Sequence, residues 1–282
     1  MRKAGVCAVL CLAAVVSATA ADPPRRVASV NLTADEILVD ILPKERLVAV
    51  TAFADDRGTS NVAGRVPSTA QRLPRADLER LVSLAPDLVV VSEYTDADFL
   101  KQLEASGLRY HRMKGLRSLA GFRESLLGLG RAVGEPVAAE RLAQDYDATL
   151  RRLAKRLEGA RRPRVLYWAE SVTAGADTAI GAVIEGAGGI NVGKELGLAG
   201  IVAIGAERAF LADPDVILVG EGFQNAESIR AHPLLSKSRA VREGRVVEMP
   251  GELLVTVSHY AARACWHLAH LLHPALVPEP LP

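Results

Sequence analysis

Short apolar runs alternate with amphipathic stretches along the first third of the chain. The runs at 27–31, 47–51, 88–92 and 108–113 each predict a strand, and the helical stretches between them predict a β-α-β-α order. The run at 88–92 is an unbroken series of Leu and Val up to Ser92, which is typical of a parallel strand buried on both faces. Thr33, with Glu36 three residues later, has the capping-box spacing of a helix start. The pattern therefore predicts an open parallel sheet covered by helices.

A single apolar stripe marks a long helix in the middle of the chain. Pro136 has the first-turn position that proline tolerates, and the stripe recurs at helical spacing through Leu142, Tyr146, Leu150, Leu153 and Leu157. A helix over 136–158 would be about 35 Å long. It could join two lobes as a stiff strut. After it the α/β pattern returns, with strands predicted at 165–168, 216–220 and 245–249 and a last helix over 258–272.

One sequence pattern occurs twice. Glu79-Arg80 lies seven residues before a Pro-Asp that opens a buried strand, and Glu207-Arg208 has the same spacing to a second Pro-Asp. The repeat predicts two lobes built on one plan. The expected fold class is α/β: two Rossmann-like lobes with parallel central sheets, joined by one long α-helix, with a ligand cleft between them. The expected divisions are an N-terminal lobe at 22–117, linker helices at 118–160 and a C-terminal lobe at 161–282.

The first 21 residues have the pattern of a secretory signal peptide. A positive start at Arg2 and Lys3 precedes an uncharged run over 6–16 that is too short to span a bilayer, and Ala18-Thr19-Ala20 follows as a cleavage site. Cleavage near Ala20 or Ala21 predicts a periplasmic protein. Cys265 would then be the one remaining cysteine, which excludes an internal disulfide or a cysteine metal cluster.

Charge and motifs narrow the function classes. Lys and Arg number 34 against 33 Asp and Glu, so no basic footprint indicates nucleic acid. The sequence has no nucleophile elbow, no dinucleotide-binding glycine motif and no P-loop. These absences argue against an enzyme, and we expect no cofactor or resident metal. We expect it to be a monomer.

The order and spacing of several segments resemble the periplasmic binding proteins for vitamin B12, ferric siderophores and haem. The segments that carry this resemblance are 26–31 with Glu36 and Leu38, 46–51, 79–91, 186–192, 207–219, 232–234 and 240–246. The resemblance implies two Rossmann-like lobes joined by one helix and an inner-membrane ABC permease with its ATPase as partners. In that class one acidic residue on each lobe, similar to Glu79 and Glu207, docks on arginines of the permease. Two carboxylates on rigid lobes would fix the orientation of docking.

Ligands of open parallel sheets bind beyond the carboxyl ends of the strands. The chain has only five Phe, five Tyr and two Trp, yet several aromatics follow predicted strands, which favours a cleft with flat apolar walls. The apolar candidates for ligand contact are Phe53, Tyr94, Trp168, Phe223 and Leu254. The polar candidates are Asn31, Thr33, Asp55, Glu170, Glu252 and His259. Arg57 and Lys114 are the only basic residues that the pattern places nearby, so the cleft should lean acidic.

These candidates favour a neutral or cationic ligand, with vitamin B12 or a related corrinoid as the first choice. Haem and ferric siderophores remain alternatives, and Tyr94 could ligate haem iron. In the class that the chain resembles, however, the haem tyrosine lies before the first Glu-Arg helix, where 64–75 here contains no Tyr, His or Met. The apolar run at 253–255 keeps a lipid or sterol as a further candidate ligand. An enzyme of related fold and a structural protein with a closed cleft are the remaining readings.

Overall fold

The computed structural model describes residues 22–222, 225–279 and 281. The strands are β1 (Val27–Ser29), β2 (Leu47–Thr51), β3 (Gln71–Leu73), β4 (Leu88–Val91), β5 (Tyr110–Arg112), β6 (Arg164–Tyr167), β7 (Val172–Ala174), β8 (Ile190–Asn191), β9 (Ile201–Ala203), β10 (Val216–Gly220) and β11 (Val246–Met249). The helices are α1 (Leu32–Ile41), α2 (Leu78–Leu84), α3 (Ala97–Ala105), α4 (Leu119–Ala132), α5 (Pro136–Arg156), α6 (Ala179–Gly186), α7 (Val192–Glu195), α8 (Ala206–Leu211), α9 (Ala226–Ala231), α10 (Arg239–Arg242), α11 (Gly251–Leu254) and α12 (Ala261–Leu272). The expected signal peptide and Phe223 lie outside the described residues.

Two parallel sheets form the centres of two lobes. The N-terminal sheet has the order β3-β2-β1-β4-β5, and the C-terminal sheet has the order β11-β10-β6-β8. Every neighbouring pair in both sheets is parallel. The prediction of two α/β lobes with parallel central sheets is therefore confirmed. A separate two-stranded antiparallel sheet of β7 and β9, which the pattern did not predict, belongs to the C-terminal half.

The helix α5 packs against both lobes. Ala139 and Ala143, in its first half, belong to the same buried cluster as α1 and α4, whereas Leu153 is part of the core of the C-terminal lobe. Because one rigid helix is embedded in two cores, it limits the relative motion of the lobes. A long helix was predicted here, and the structure ends it at Arg156. The division points at 117 and 161 stay predictions.

The start of α1 differs from the capping box that the sequence predicted. Asn31 is the N-cap, and its Oδ1 accepts a hydrogen bond of 2.9 Å from the backbone N–H of Ala34. Thr33 lies inside the first turn and is buried. The Glu36 carboxylate accepts hydrogen bonds from Asn61 and from a distant part of the chain instead of returning to the helix start. The capping-box prediction is wrong because Glu36 points into the protein.

No helix in the described part of the chain is long and apolar enough to cross a membrane.

Candidate functional site

The carboxyl ends of the two sheets face each other. The loop after β2 reaches the start of α11, where the side-chain amide of Asn61 donates a hydrogen bond of 2.9 Å to the carbonyl oxygen of Glu252. The contact is close at Gly251, where a Cβ atom would lie 2.3 Å from the carbonyl oxygen of Gly58. Strand ends of both lobes therefore meet across a shared gap, as the sequence predicted.

A cavity of about 450 Å³ lies between the lobes at these strand ends. Its N-terminal wall contains Tyr94, Leu116 and Arg117, and its C-terminal wall contains Asp177, Thr178, Ala179, Ile180, Gly200, Ile201, Leu254, Val255 and Val257. Most of these side chains are aliphatic. The arrangement can hold an apolar or flat ligand while a few polar groups at the edge fix its orientation.

Tyr94 and Arg117 form a pair on the N-terminal wall. The Arg117 Nε donates to the Tyr94 hydroxyl at 3.3 Å, and the guanidinium lies 5.6 Å from the centre of the ring. The hydrogen bond with Tyr94 raises the pKa of Arg117. Tyr94 is 58% exposed, so its ring is available to a ligand. The sequence analysis did not identify Arg117 as a basic group of the cleft. This cation lines the same cavity as the carboxylate of Asp177.

Tyr94 and Leu254 are the two predicted contact residues that line this cavity. Phe53 is 56% exposed in a short 3₁₀ turn after β2, and the Asp55 carboxylate is paired with Arg72 at 2.7 Å. Both residues lie beyond the cavity lining. Asn31 is engaged in capping α1, and Thr33 is buried beneath it. Local structure takes up both side chains, and ligand contacts at these two positions stay predictions.

Trp168 does not form a wall of the cleft. Its side chain is 2% exposed and packs in the core of the C-terminal lobe, with its ring edge toward His232 at 6.4 Å between centroids. The strand end turns Trp168 inward, away from the cavity, and the ligand contact at this residue stays a prediction. Glu170 is exposed in the turn between β6 and β7, and Glu252 is half-buried in α11. Neither residue lines the cavity.

His259 is also directed away from the cleft. Its Nε2 lies 3.0 Å from Asp40 Oδ2, and the residue borders a groove beside α5. Asp40 holds the ring of His259 outside the cavity lining, and the ligand contact at His259 stays a prediction. Across 22–222, 225–279 and 281, no group of three or more His, Cys, Asp and Glu side chains is placed to hold a metal ion.

Two carboxylates of α1, the buried Glu36 and the half-buried Asp40, contact the segment that precedes α12. Glu36 accepts hydrogen bonds from Thr256 and Ser258. Asp40 accepts one from Tyr260 at 2.7 Å and contacts His259. Burial acts to raise the pKa of Asp40, but the hydrogen bonds from His259, Arg65 and Tyr260 hold that pKa below its ordinary value.

A comparison with known families decides the class of protein. The model of a periplasmic binding protein family matches residues 27–253. The chain belongs to this family. Among curated proteins, a cobalamin-binding protein of Halobacterium salinarum is 25% identical over 244 residues, which cover 84% of this chain. The match spans 64% of that protein's own length, so the chain corresponds to less than two thirds of this relative.

Solved structures show the same fold for members of several ligand classes. The apo form of the periplasmic heme-binding protein RhuT from Roseiflexus sp. RS-1 has a TM-score of 0.76 at 23% identity, covering 89% of this chain and 99% of that one. A periplasmic heme-binding protein from Pseudomonas aeruginosa has a TM-score of 0.73 at 24% identity, with 92% and 95% coverage. CeuE of Helicobacter pylori with Ni(II) bound has a TM-score of 0.77 at 17% identity, with 90% and 85% coverage. At these identities the likeness establishes the fold.

Proposed function

We propose that this chain is the periplasmic receptor of an ABC importer and that it captures a corrinoid such as vitamin B12. The signal peptide would be removed near Ala20 or Ala21. The family supports a role in ligand binding. The relative named as a cobalamin-binding protein, similar over 84% of this chain, supports the choice of ligand.

One observation about the cleft carries the proposal. Tyr94 of the N-terminal lobe is 58% exposed and Ile201 of the C-terminal lobe is 55% exposed, and both border the same apolar cavity. Large apolar side chains that remain exposed on two sides of one cavity are typical of a ligand surface. A corrinoid is larger than the cavity, so it would lie across the mouth and contact both lobes.

Titration calorimetry with cyanocobalamin tests this proposal, with the absorption spectrum of the recovered complex as a second readout. We expect submicromolar, reversible binding and recovery of unchanged ligand. Tyr94→Ala and Ile201→Ala should each weaken binding about tenfold, because each removes roughly 1–2 kcal/mol of apolar contact. Val137→Ala is a matched control, since Val137 is 69% exposed on α5, outside the cleft. Chemical turnover of the ligand, or no binding, would contradict the proposal.

Haem is the second candidate because Tyr94 brings a phenol to the cavity. The hydroxyl contacts Arg117 and the carbonyl oxygen of Leu116, the latter at 3.4 Å, and it could exchange these contacts for iron. Haemin added to the protein would then give a tyrosinate-iron spectrum that Tyr94→Phe abolishes. Ferric siderophores and a lipid or sterol are distinguished by native mass spectrometry and the absorption spectrum of protein purified from its host. The mass identifies the ligand, and a corrinoid or haem is coloured whereas a lipid is not.

Glu79 and Glu207 are the proposed docking residues for the permease. Each is the second residue of a short helix, α2 or α8, and each is exposed. Each helix ends next to the amino end of the strand that follows, so its first turn lies toward the cleft side of its lobe. Among the described residues neither carboxylate has a salt-bridge partner. The two carboxylates would pair with arginines of the permease, which couples to an ATPase.

The docking proposal is tested with the double variant Glu79→Lys/Glu207→Lys. We expect uptake of labelled ligand by cells to be abolished while the affinity of the purified receptor is unchanged, because the reversed charges repel a basic partner. Glu124→Lys/Glu140→Lys is the matched control, as both residues are exposed helical carboxylates, on α4 and α5. Normal uptake by the Glu79/Glu207 variant would contradict the assignment.

A further inference from the structure

We propose that residues 252–260 form a strap that fastens the C-terminal wall of the cleft to the N-terminal lobe, with Glu36 and Asp40 as its positioning residues. The strap follows β11 of the C-terminal sheet and leads into α12. It carries three residues of the cavity wall, Leu254, Val255 and Val257. Its polar groups, in contrast, bond to the N-terminal lobe. This attachment of the cleft wall does not depend on which ligand the cleft binds.

Glu36 is the centre of the first attachment. The side chain is 1% exposed, and its Oε1 accepts hydrogen bonds from the backbone N–H of Asn61 at 3.0 Å and from its side-chain amide at 2.7 Å. Its Oε2 accepts from the hydroxyls of Thr256 at 3.0 Å and Ser258 at 2.5 Å, which are also buried. One oxygen therefore binds the N-terminal loop and the other binds the strap. Such charge-assisted hydrogen bonds are stronger than neutral ones.

Asp40 makes the second attachment one helical turn further along α1. Its Oδ1 pairs with Arg65 at 2.6 Å, while its Oδ2 accepts from the Tyr260 hydroxyl at 2.7 Å and contacts His259 at 3.0 Å. Arg65 also contacts Tyr260 directly. As with Glu36, one carboxylate oxygen contacts the N-terminal loop and the other contacts the strap. The repeated arrangement, four residues apart on one helix face, makes a single line of attachment.

The attachments bracket the apolar part of the strap. Asn61 holds the carbonyl oxygen of Glu252 before Leu254 and Val255, and Glu36 holds Thr256 and Ser258 on either side of Val257. Val257 itself packs against the buried cluster that contains α1. This wall of the cavity is therefore fixed to the N-terminal lobe although it continues from the C-terminal sheet. The opposite wall of the cavity, where Ile201 lies in β9 beside β7, belongs to the C-terminal lobe.

The chemistry of Glu36 suggests a pair of variants that separates charge from geometry. In Glu36→Gln the amide oxygen can still accept from Asn61, and the amide nitrogen can donate to the Thr256 and Ser258 hydroxyls after these rotate. In Glu36→Ala both ends of the attachment are lost and two hydroxyls lose their acceptor. We expect the Gln variant to keep most of the attachment and the Ala variant to release the strap.

Hydrogen exchange of the full protein, measured by mass spectrometry without ligand, tests the proposal. Glu36→Ala should speed exchange about tenfold in peptides covering the strap and in those covering 52–62, because local opening exposes both sides of the attachment together. Glu36→Gln should restore most of the protection. Asp215→Ala is the control: Asp215 is buried, but its partners Arg161, Arg164 and Arg239 all lie in the C-terminal lobe. The faster exchange caused by Asp215→Ala should stay within that lobe.

A rise in exchange limited to peptides of the N-terminal lobe in Glu36→Ala would overturn the proposal. If Glu36→Ala does not fold, the double variant Thr256→Val/Ser258→Ala removes the strap's side of the attachment. It should speed exchange in the strap and in 52–62 together. Unchanged exchange in 52–62 would overturn the proposal. The dissociation rate of cyanocobalamin should increase about tenfold in Glu36→Ala and stay near wild type in Glu36→Gln. Failure of the wild-type protein to bind cyanocobalamin would contradict the proposed function and leave the exchange test unchanged.

Discussion

Gly251 offers a direct test of the contact between the two lobes. It is the first residue of α11, and a Cβ atom there would lie 2.3 Å from the carbonyl oxygen of Gly58 and 2.9 Å from that of Glu221. Both neighbours are backbone atoms, which cannot rotate away as a side chain could. In Gly251→Ala the loop that contains Gly58 must therefore retreat by roughly 1 Å to reach ordinary van der Waals contact.

The expected cost follows from the size of this clash. Overpacking of a tight contact costs about 1–3 kcal/mol, while replacing Gly by Ala in a helix returns up to about 1 kcal/mol. The free energy of unfolding should therefore fall by about 1–2 kcal/mol. For a chain of this size each kcal/mol lowers Tm by about 2–4 °C, so we expect a decrease of roughly 2–8 °C in scanning calorimetry.

Gly58→Ala is the matched control for Gly251→Ala, because it alters the other side of the same contact without a clash. A Cβ at Gly58 meets only the Asp56 carboxylate, at an ordinary distance of 3.4 Å. We expect its Tm to stay close to that of the wild type. If Gly251→Ala is as stable as Gly58→Ala, the lobes do not approach each other at this point and the geometry of the cleft described above is wrong.

Three further predictions concern single side chains. Burial raises the pKa of Asp35 to about 7. The stability that the neutral carboxyl group contributes is therefore complete below about pH 4 and is lost as the pH rises through 7. In thermal melts Asp35→Asn should raise Tm at pH 8 but not at pH 4. Trp168→Ala should lower the free energy of unfolding by about 3–5 kcal/mol in urea titrations without changing ligand affinity, because the side chain is in the core. Gly128→Ala in α4 should raise the free energy of unfolding by about 0.5–1 kcal/mol in the same titrations, since a Cβ there meets nothing nearer than 4.0 Å. An unchanged Tm of Asp35→Asn at pH 8 would contradict the first prediction. Weakened ligand affinity of Trp168→Ala would contradict the second, and a loss of stability in Gly128→Ala would contradict the third.

The central strands and the long helix could be predicted because their signals are local. The run at 88–92 became β4, buried at every position, and the stripe through Leu153 became α5. The repeated Glu-Arg spacing indicated two lobes because both copies precede a central strand. Strands such as β3 and β8, with three and two residues, are too short for any hydrophobic period to reveal.

The cavity lining was harder to predict than the fold. A strand end fixes where a loop begins but does not fix the direction of its side chains. Trp168 and Tyr94 each follow a strand, yet Trp168 is 2% exposed in the core and Tyr94 is 58% exposed at the cavity. Ile201 comes from β9 and Thr178 from the start of α6, and no local pattern marked either as part of the site. These positions depend on how the chain packs over long distances.

The acidic residues of α1 show why local spacing can mislead. Thr33 and Glu36 have the spacing of a capping box, and a buried Glu is rare enough to make that reading the natural one. Glu36 instead contacts Thr256 and Ser258, which are 220 and 222 residues away in the sequence. A carboxylate can be buried at this position only because those donors arrive from the other end of the chain. The same residue that misled the local prediction therefore supports the assembly of the cleft from both lobes, since neither lobe alone supplies its four hydrogen bonds.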